Sequence, residues 1–323
     1  MRALIGLLMA CLAPLLGLSS ARAEAPWPDR PVKIVVPFPA GGSTDIVARE
    51  LAQGLTAKFG QQFLVENKPG AGSTLGTASV AKAPPDGYTF LVTSSHYSIV
   101  PSLYPHLGYD PLKDLAGVAL LVNIPVILVA NPAVPAKTVK ELIAYDKAHP
   151  GKLNFGSSGA GGVNHLSGEL FNHMAGTHLT HIPYKGTAPA MQDLMAGNVQ
   201  LMFDAISTSL PNIKAGTIKP IAWTGPKASP VLPDLPTISG SGLPGYETAS
   251  WLAMFAPAGT PPDIISKVSE EVRRILDQPT VRQRQQAQGV EIVASTPQQL
   301  DAVVRTEIPK WSNLIKTVGV KIE

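Results

Sequence analysis

Of 323 residues only one is cysteine, Cys11, and it falls inside the first apolar run of the chain. A chain cut after that run would hold no thiol, so disulfides are excluded and the fold must rest on its core alone. Charge of one sign is lacking too: 26 basic side chains face 23 acidic ones. No basic cluster interleaved with aromatics occurs, so nucleic acid is not an expected partner. Beyond the N-terminus no apolar run is long enough to span a bilayer, and the mature protein is expected not to be membrane-inserted. The 7 histidines are scattered without metal-ligand spacing, so no metal is expected. No Walker sequence is present, and "GAGSTLG" has the wrong glycine spacing for a dinucleotide fingerprint. No cofactor is expected. "GSSGA" lacks the last glycine of a nucleophile elbow, and no serine is obviously paired with a base, so no catalytic residue is assigned.

What is present starts with a leader. Arg2, the run "ALIGLLMACLAPLLGL" and the small residues Ala21 and Ala23 read as a signal peptide over 1–23, cut after Ala23. Leu8 to Cys11 only loosely resembles a lipobox, because Met9 fits it poorly. Removing Arg2 and Arg22 leaves 24 basic against 23 acidic side chains. Export to the periplasm follows, with 300 residues left for about two domains.

The remainder alternates strand and helix. Val32 to Val36 reads as a short buried strand before prolines, and Val47, Leu51, Leu55 and Phe59 mark one face of a helix that Gly60 ends. "QFLVEN", "TLGTASVAKA" and "GYTFLVTSS" continue the βαβαβ order of a parallel sheet. "GVALLVNIPVILVANP" is long enough to leave one sheet and enter another. A second α/β series follows: helix Val139 to Ala148, strand "LNFGSS", helix His165 to Ala175, strand "HLTHIPY", helix Ala188 to Ala196, and strands "VQLMFDA" and "KPIAWTG". A return crossing, "SWLAMFAPAG", leads to a helical end. There Thr260 with Pro261, and Thr296 with Pro297 and Gln299, look like helix starts. The expected fold class is α/β with two lobes, each a sheet flanked by helices, and two crossing strands as hinge. Lobe 1 would take 24–123 and 248–323, and lobe 2 would take 124–247.

Three stretches share the order strand, small-residue turn, helix: Pro39 to Asp45, Pro69 to Gly76 and Gly156 to His165. A helix start offers unpaired N–H groups and the positive end of its dipole, and glycine lets an anion come close. Ser43, Ser73, Ser157 and Ser158 add hydroxyls, and Ser94 and Ser95 would face the same cleft. One such turn alone is more often structural than functional; three at strand ends of two lobes point to a shared anion site. Asp45 would repel an anion, so it reads as a turn organiser, and Arg49 as solvated. His165 reads as the start of a helix beside the cleft rather than a base. Four or five charge-assisted hydrogen bonds of roughly 1.5–3 kcal/mol each would cover the about 8 kcal/mol of a micromolar complex.

Five ordered motifs then carry a resemblance across the mature chain: "WPDRPVKIVVPFPAGGSTDIVAR", "VENKPGAGSTLGTASVAKAPPDGYTFL", "NFGSSGAGGVNHLSGELF", "IPYKGTAPAMQDLMAGNVQLMFD" and "LPDLPTISGSGLPGYE…W". They resemble the Bug-type (TctC-like) receptors, periplasmic substrate-binding proteins of tripartite tricarboxylate transporters. The resemblance implies a type II-like Venus flytrap that closes on a small carboxylate and presents it to a membrane permease, with a monomer as the working unit. It implicates Ala40, Gly41, Gly42 and Ser43 with Gly70, Ala71, Gly72 and Ser73 in the first lobe. From the second lobe it implicates the Ser157 to Gly162 loop (Ser157, Ser158 and Gly159 foremost), Tyr184 and Asp204, the last as ligand acceptor or loop organiser. Ser73 departs from the family, where glycine is common. Two rivals stay open: an exported α/β hydrolase using a loop serine, and a sensor input module built on the same binding fold.

Overall fold

The computed structural model describes residues 27–104 and 106–320. The leader with Cys11 and Ala23 lies outside the described residues.

Strand β1 (Val32–Val36) is apolar and buried at every position but Lys33, which is exposed and pairs with Glu66. Helix α1 (Ser43–Phe59) follows, then β2 (Phe63–Asn67), α2 (Thr74–Ala81), β3 (Thr89–Ser94) and the single turn α3 (His96–Ile99). Strands β2-β1-β3 pair in parallel in that spatial order, the arrangement the short βαβ connections require. The long apolar run is β4 (Leu115–Ala130). After it come α4 (Val139–Ala148), β5 (Asn154–Ser157), α5 (Val163–Ala175), β6 (Thr180–Pro183), α6 (Thr187–Ala196), β7 (Leu201–Ala205), α7 (Ile206–Lys214) and β8 (Lys219–Trp223). The chain closes with β9 (Ala249–Pro257), α8 (Pro262–Leu276), α9 (Pro279–Ala287), the short β10 (Glu291–Ile292) and α10 (Pro297–Val318).

The sheet order is β2-β1-β3-β9-β4-β7-β5-β6, with β8 and β10 also on β4. Residues 115–125 of β4 pair antiparallel with β9; residues 126–130 pair with β7 and β8 instead. β4 thus belongs to both halves of one continuous array. Parallel pairing, expected from the βαβαβ order, holds for β2-β1-β3 and again for β6-β5-β7. The central strands run antiparallel because β9 returns along β4. Thr248 N–H donates to the Thr224 carbonyl just before β9 begins, which ties its start to the end of β8.

Each half has its own core. Val32, Ile34, Leu51, Phe90, Met254 and Val272 pack together in the first, Phe155, Leu166, Phe171, Leu201 and Phe203 in the second. Helix α10 joins them. Its Thr296 and Gln299 form the expected capping box, yet Trp311 and Ile315 in its last turns sit in the second core with Ile99 and Tyr246. At Thr260 the expected cap is absent: its hydroxyl donates to the Pro257 carbonyl, and Pro261 precedes the helix without a side-chain cap. Trp311 is 1% exposed and its indole N–H donates to Glu307. Removal of so large a buried ring costs about 3–5 kcal/mol. Trp311→Ala should lower unfolding free energy by that amount in urea; a loss under about 1 kcal/mol would show that the helix end is not anchored.

Candidate functional site

The first turn leaves β1 through Pro37, Phe38, Pro39 and Ala40. Gly41 takes φ 85°, and Gly42, extended at φ −77° and ψ 168°, is the N-cap of α1. The side chains Ser43, Thr44 and Asp45, all expected cap types, lie inside the helix instead. Asp45 organises the turn, as expected, through three partners: Oδ2 accepts from the Gly41 N–H (2.9 Å) and Arg49 Nε (3.0 Å), and Oδ1 from Asn67 Nδ2 (3.0 Å). Burial pushes its carboxyl up, but Arg49, Gly41 and Asn67 outweigh that and the net shift is downward. Two expectations change here. The Gly41 N–H is already taken and cannot meet an anion, and Arg49 is ion-paired to Asp45 rather than simply solvated. The first intrahelical bond of α1 runs from the Ile46 N–H to the Gly42 carbonyl, so the N–H groups of residues 43–45 precede the ladder and have no carbonyl from it.

The second turn, Pro69 to Gly76, packs beside the first. A Cβ on Gly76 would stand 2.8 Å from the Pro37 ring, which is why only glycine fits. Gly70, Ala71, Gly72 and Ser73 all have positive φ (134°, 44°, 60° and 83°). For Ala71 and Ser73 that conformation is strained and is held by the surroundings. Ser73 Oγ is buried and has no hydrogen-bond partner in the structure.

At the end of β3, Ser94 Oγ lies 3.2 Å from His96 Nδ1, and Ser95 Oγ lies 3.2 Å from Ser250 Oγ. His96, not singled out from sequence, is the joint of the site. Its ring stands edge-on to Phe38 of the first turn (centroids 5.7 Å), and a Cβ on Gly162 of the third turn would approach its Nε2 to 3.3 Å. Burial pulls its pKa down to about 4, so at neutral pH it is an uncharged donor or acceptor. Turns from both halves therefore converge on one imidazole.

The third turn repeats the first. "AGGSTD" (40–45) and "AGGVNH" (160–165) share a frame, with Gly161 at φ 77° and Gly162 at φ −82°, ψ 169° as the N-cap of α5. The Gly161 N–H donates to His165 Nδ1 at 3.0 Å, the same four-residue reach by which Gly41 meets Asp45. Helix α5 starts at Val163, two residues before the expected His165. Its first intrahelical bond is Leu166 N–H to the Gly162 carbonyl, leaving residues 163–165 outside the ladder.

Ser157 is fully buried, with Oγ 2.6 Å from His181 Nε2, 2.9 Å from the Gly159 carbonyl and 3.2 Å from the Gly159 N–H. A serine–histidine pair, not seen in the sequence, thus exists. Its hydroxyl is turned into the loop, and among the described residues no carboxylate bonds the other ring nitrogen to complete a triad. Tyr184 holds the loop by its backbone, donating N–H to the Ser157 carbonyl, while Gly186 does the same to Ser158. The Tyr184 hydroxyl is engaged by Asp193 at 2.7 Å, and burial pushes its pKa up to about 12. Asp204 is fully buried: Oδ2 accepts from Thr208 (2.5 Å) and Ser209 (2.9 Å), and Asn164 Nδ2 lies 3.4 Å from Oδ1. Burial raises its carboxyl against these hydrogen bonds. This is the arrangement of a loop organiser that ties α7 to α5. No cluster of metal-ligating side chains occurs among the described residues, and no described helix is long and apolar enough to cross a membrane.

Residues 47–320 match the family model described as "Tripartite tricarboxylate transporter family receptor". The structure resembles that of Rpa4515 from R. palustris with adipate, at 38% identity, a TM-score of 0.83, and coverage of 91% of this chain and 99% of that one. The periplasmic binding protein BugD is 40% identical at a TM-score of 0.81, over 92% of this chain and all of its own. MatC from Rhodopseudomonas palustris with bound malate is 37% identical at a TM-score of 0.80, over 90% and 100%.

Two substitutions separate fold from site. A Cβ on Gly42 meets only the Pro39 carbonyl, at 3.8 Å, and φ there suits any residue. Gly42→Val should therefore leave the melting temperature within a few degrees while blocking ligand binding; retained binding would displace the site from this turn. Ser73→Gly relieves a left-handed serine and should raise stability by up to about 1 kcal/mol, while weakening binding because the unpartnered hydroxyl is lost. Unchanged affinity in calorimetry would make Ser73 a bystander.

Proposed function

The chain belongs to the tripartite tricarboxylate transporter receptor family, and from that premise we propose that it captures a small organic carboxylate between its halves and delivers it to a membrane permease. The halves would be 24–123 with 248–323, and 124–247, acting as a monomer in the periplasm after removal of 1–23. One observation carries the reading most directly: the turns that open α1 and α5, one in each half, leave N–H groups outside the helical ladder, and Phe38 before the one and Gly162 in the other meet His96. A carboxylate there would receive hydrogen bonds from residues 42–44 and 163–164, with the Ser73, Ser94 and Ser158 hydroxyls beside it. Gly70 to Gly72 and Gly159 would shape the walls. Tyr184 and Asp204 would hold loops in place.

Binding of adipate by Rpa4515 and of malate by MatC supports the ligand class. Each half supplies part of the contacts, so the ligand favours the closed arrangement by its greater affinity for it. Such a receptor needs no chemistry, and the buried, loop-bound hydroxyl of Ser157 supports binding rather than turnover. A panel of dicarboxylates that includes malate and adipate should raise the melting temperature for at least one member without product formation. X-ray scattering should show a smaller radius of gyration with that ligand. Turnover of the ligand, or no response to any carboxylate, would overturn the proposal.

A further inference from the structure

His165 and His181 stack face to face, with ring centroids 3.7 Å apart and planes 12° from parallel. Each ring holds one end of the third turn: His181 through Ser157 Oγ, His165 through the Gly161 N–H. We propose that this pair positions the second-half glycine loop for ligand only while both rings are uncharged, so that ligand affinity falls as acidity rises. The proposal rests on the receptor reading above and adds a regulation of the same site.

Three features carry it. First, Nδ1 of His165 accepts a backbone N–H. A proton on that atom would set donor against donor and release Gly161, whose amide has no other acceptor among the described residues. Second, two imidazolium rings stacked at that separation would repel each other. The groups that face them relieve only one ring. Phe155 of β5 presents an apolar ring to both, whereas Glu169 of α5, with Oε1 3.5 Å from His165 Nε2, would pair with an imidazolium at His165, so the repulsion falls on His181. Among the described residues no other ionisable group lies within ion-pair or hydrogen-bond distance of either ring. Third, the first half is a built-in comparison. Its turn has the same backbone, but Asp45 does the holding and remains an acceptor when ionised. Of these two inner bonds, the one held by an imidazole is therefore the acid-sensitive one.

The sign follows from linkage. Burial, then the neighbouring His165, pull the His181 pKa down to about 3, whereas a released imidazole takes its proton near pH 6.5. Between those values the released loop binds the extra proton and the ordered loop does not. Ordering thus weakens as pH falls, by about tenfold per pH unit for one ring. Apparent affinity follows the ordered fraction.

The test uses the full mature protein. Imidazole nitrogen and Gly161 amide resonances are followed from pH 7.5 to 4.5, and binding of malate and of adipate is measured by calorimetry over the same range. The double variant His165→Asn, His181→Gln serves as comparison, because an amide oxygen can accept the Gly161 N–H as Asp45 accepts that of Gly41, and neither amide titrates. In the wild type the His181 and Gly161 signals should change together, at a pH well below the 6.5 of a free imidazole. The ratio of wild-type to double-variant affinity, which cancels the ligand's own protonation, should fall by about tenfold between pH 7 and 5. Parallel affinity profiles, or rings that titrate independently of the Gly161 amide, would overturn the proposal. If neither acid binds at pH 7.5 the receptor's ligand class fails, while the resonance titration still decides the loop.

Discussion

The first N–H groups of an α-helix have no carbonyl behind them to receive them. Around that shortage the molecule is arranged. Helices α1 and α5 begin at the carboxyl ends of strands in different halves, and Phe38 ahead of the first and Gly162 at the second both meet His96. Backbone donors seek partners, and the side chains beside them are neutral or already engaged: His96 by burial, Asp45 by Arg49 and Asn67. On the receptor reading proposed above, an anion would meet amide dipoles, and specificity would come from hydrogen-bond geometry and from the walls.

Holding such loops open takes other side chains. Each of the two glycine turns is fixed by the residue four places beyond its first glycine, a carboxylate in one half and an imidazole in the other. Ser157, Tyr184 and Asp204 extend the support in the second half, tying loop to strand and α7 to α5. Residues with conspicuous chemistry are thus engaged with their own loops and helices, and it is plain backbone that lies between them.

Much of this was legible in the residue pattern. Period-two and period-3.6 runs mark Val32–Val36, Val139–Ala148 and the long β4 because burial on known faces leaves little choice of residue. Three strand–turn–helix joints were visible for the same reason, since glycine at positive φ is hard to replace. Pairing direction in the centre was not visible: β9 antiparallel to β4 depends on where a chain returns after more than a hundred residues. The role of His96 also escaped, because it arises from Phe38 and Gly162, far away in sequence. So did the Ser157–His181 pair, formed across two parallel strands. One textual sign of the third turn's inner bond was available, the repeat of "AGG" followed by Asp in one place and His in the other.

Pro125 is the last residue of β4 to pair with β9, and Val126 the first to pair with β7. Having no amide hydrogen, it leaves a rung out of the ladder just where the ribbon changes partners. The ladder is thinnest where it changes hands, as a card is along its score line. The next rung, Ile124 opposite Ser250, carries the serine whose hydroxyl lies 3.2 Å from Ser95 Oγ, so the seam between the halves and the end of β3 are joined through one pair of hydroxyls.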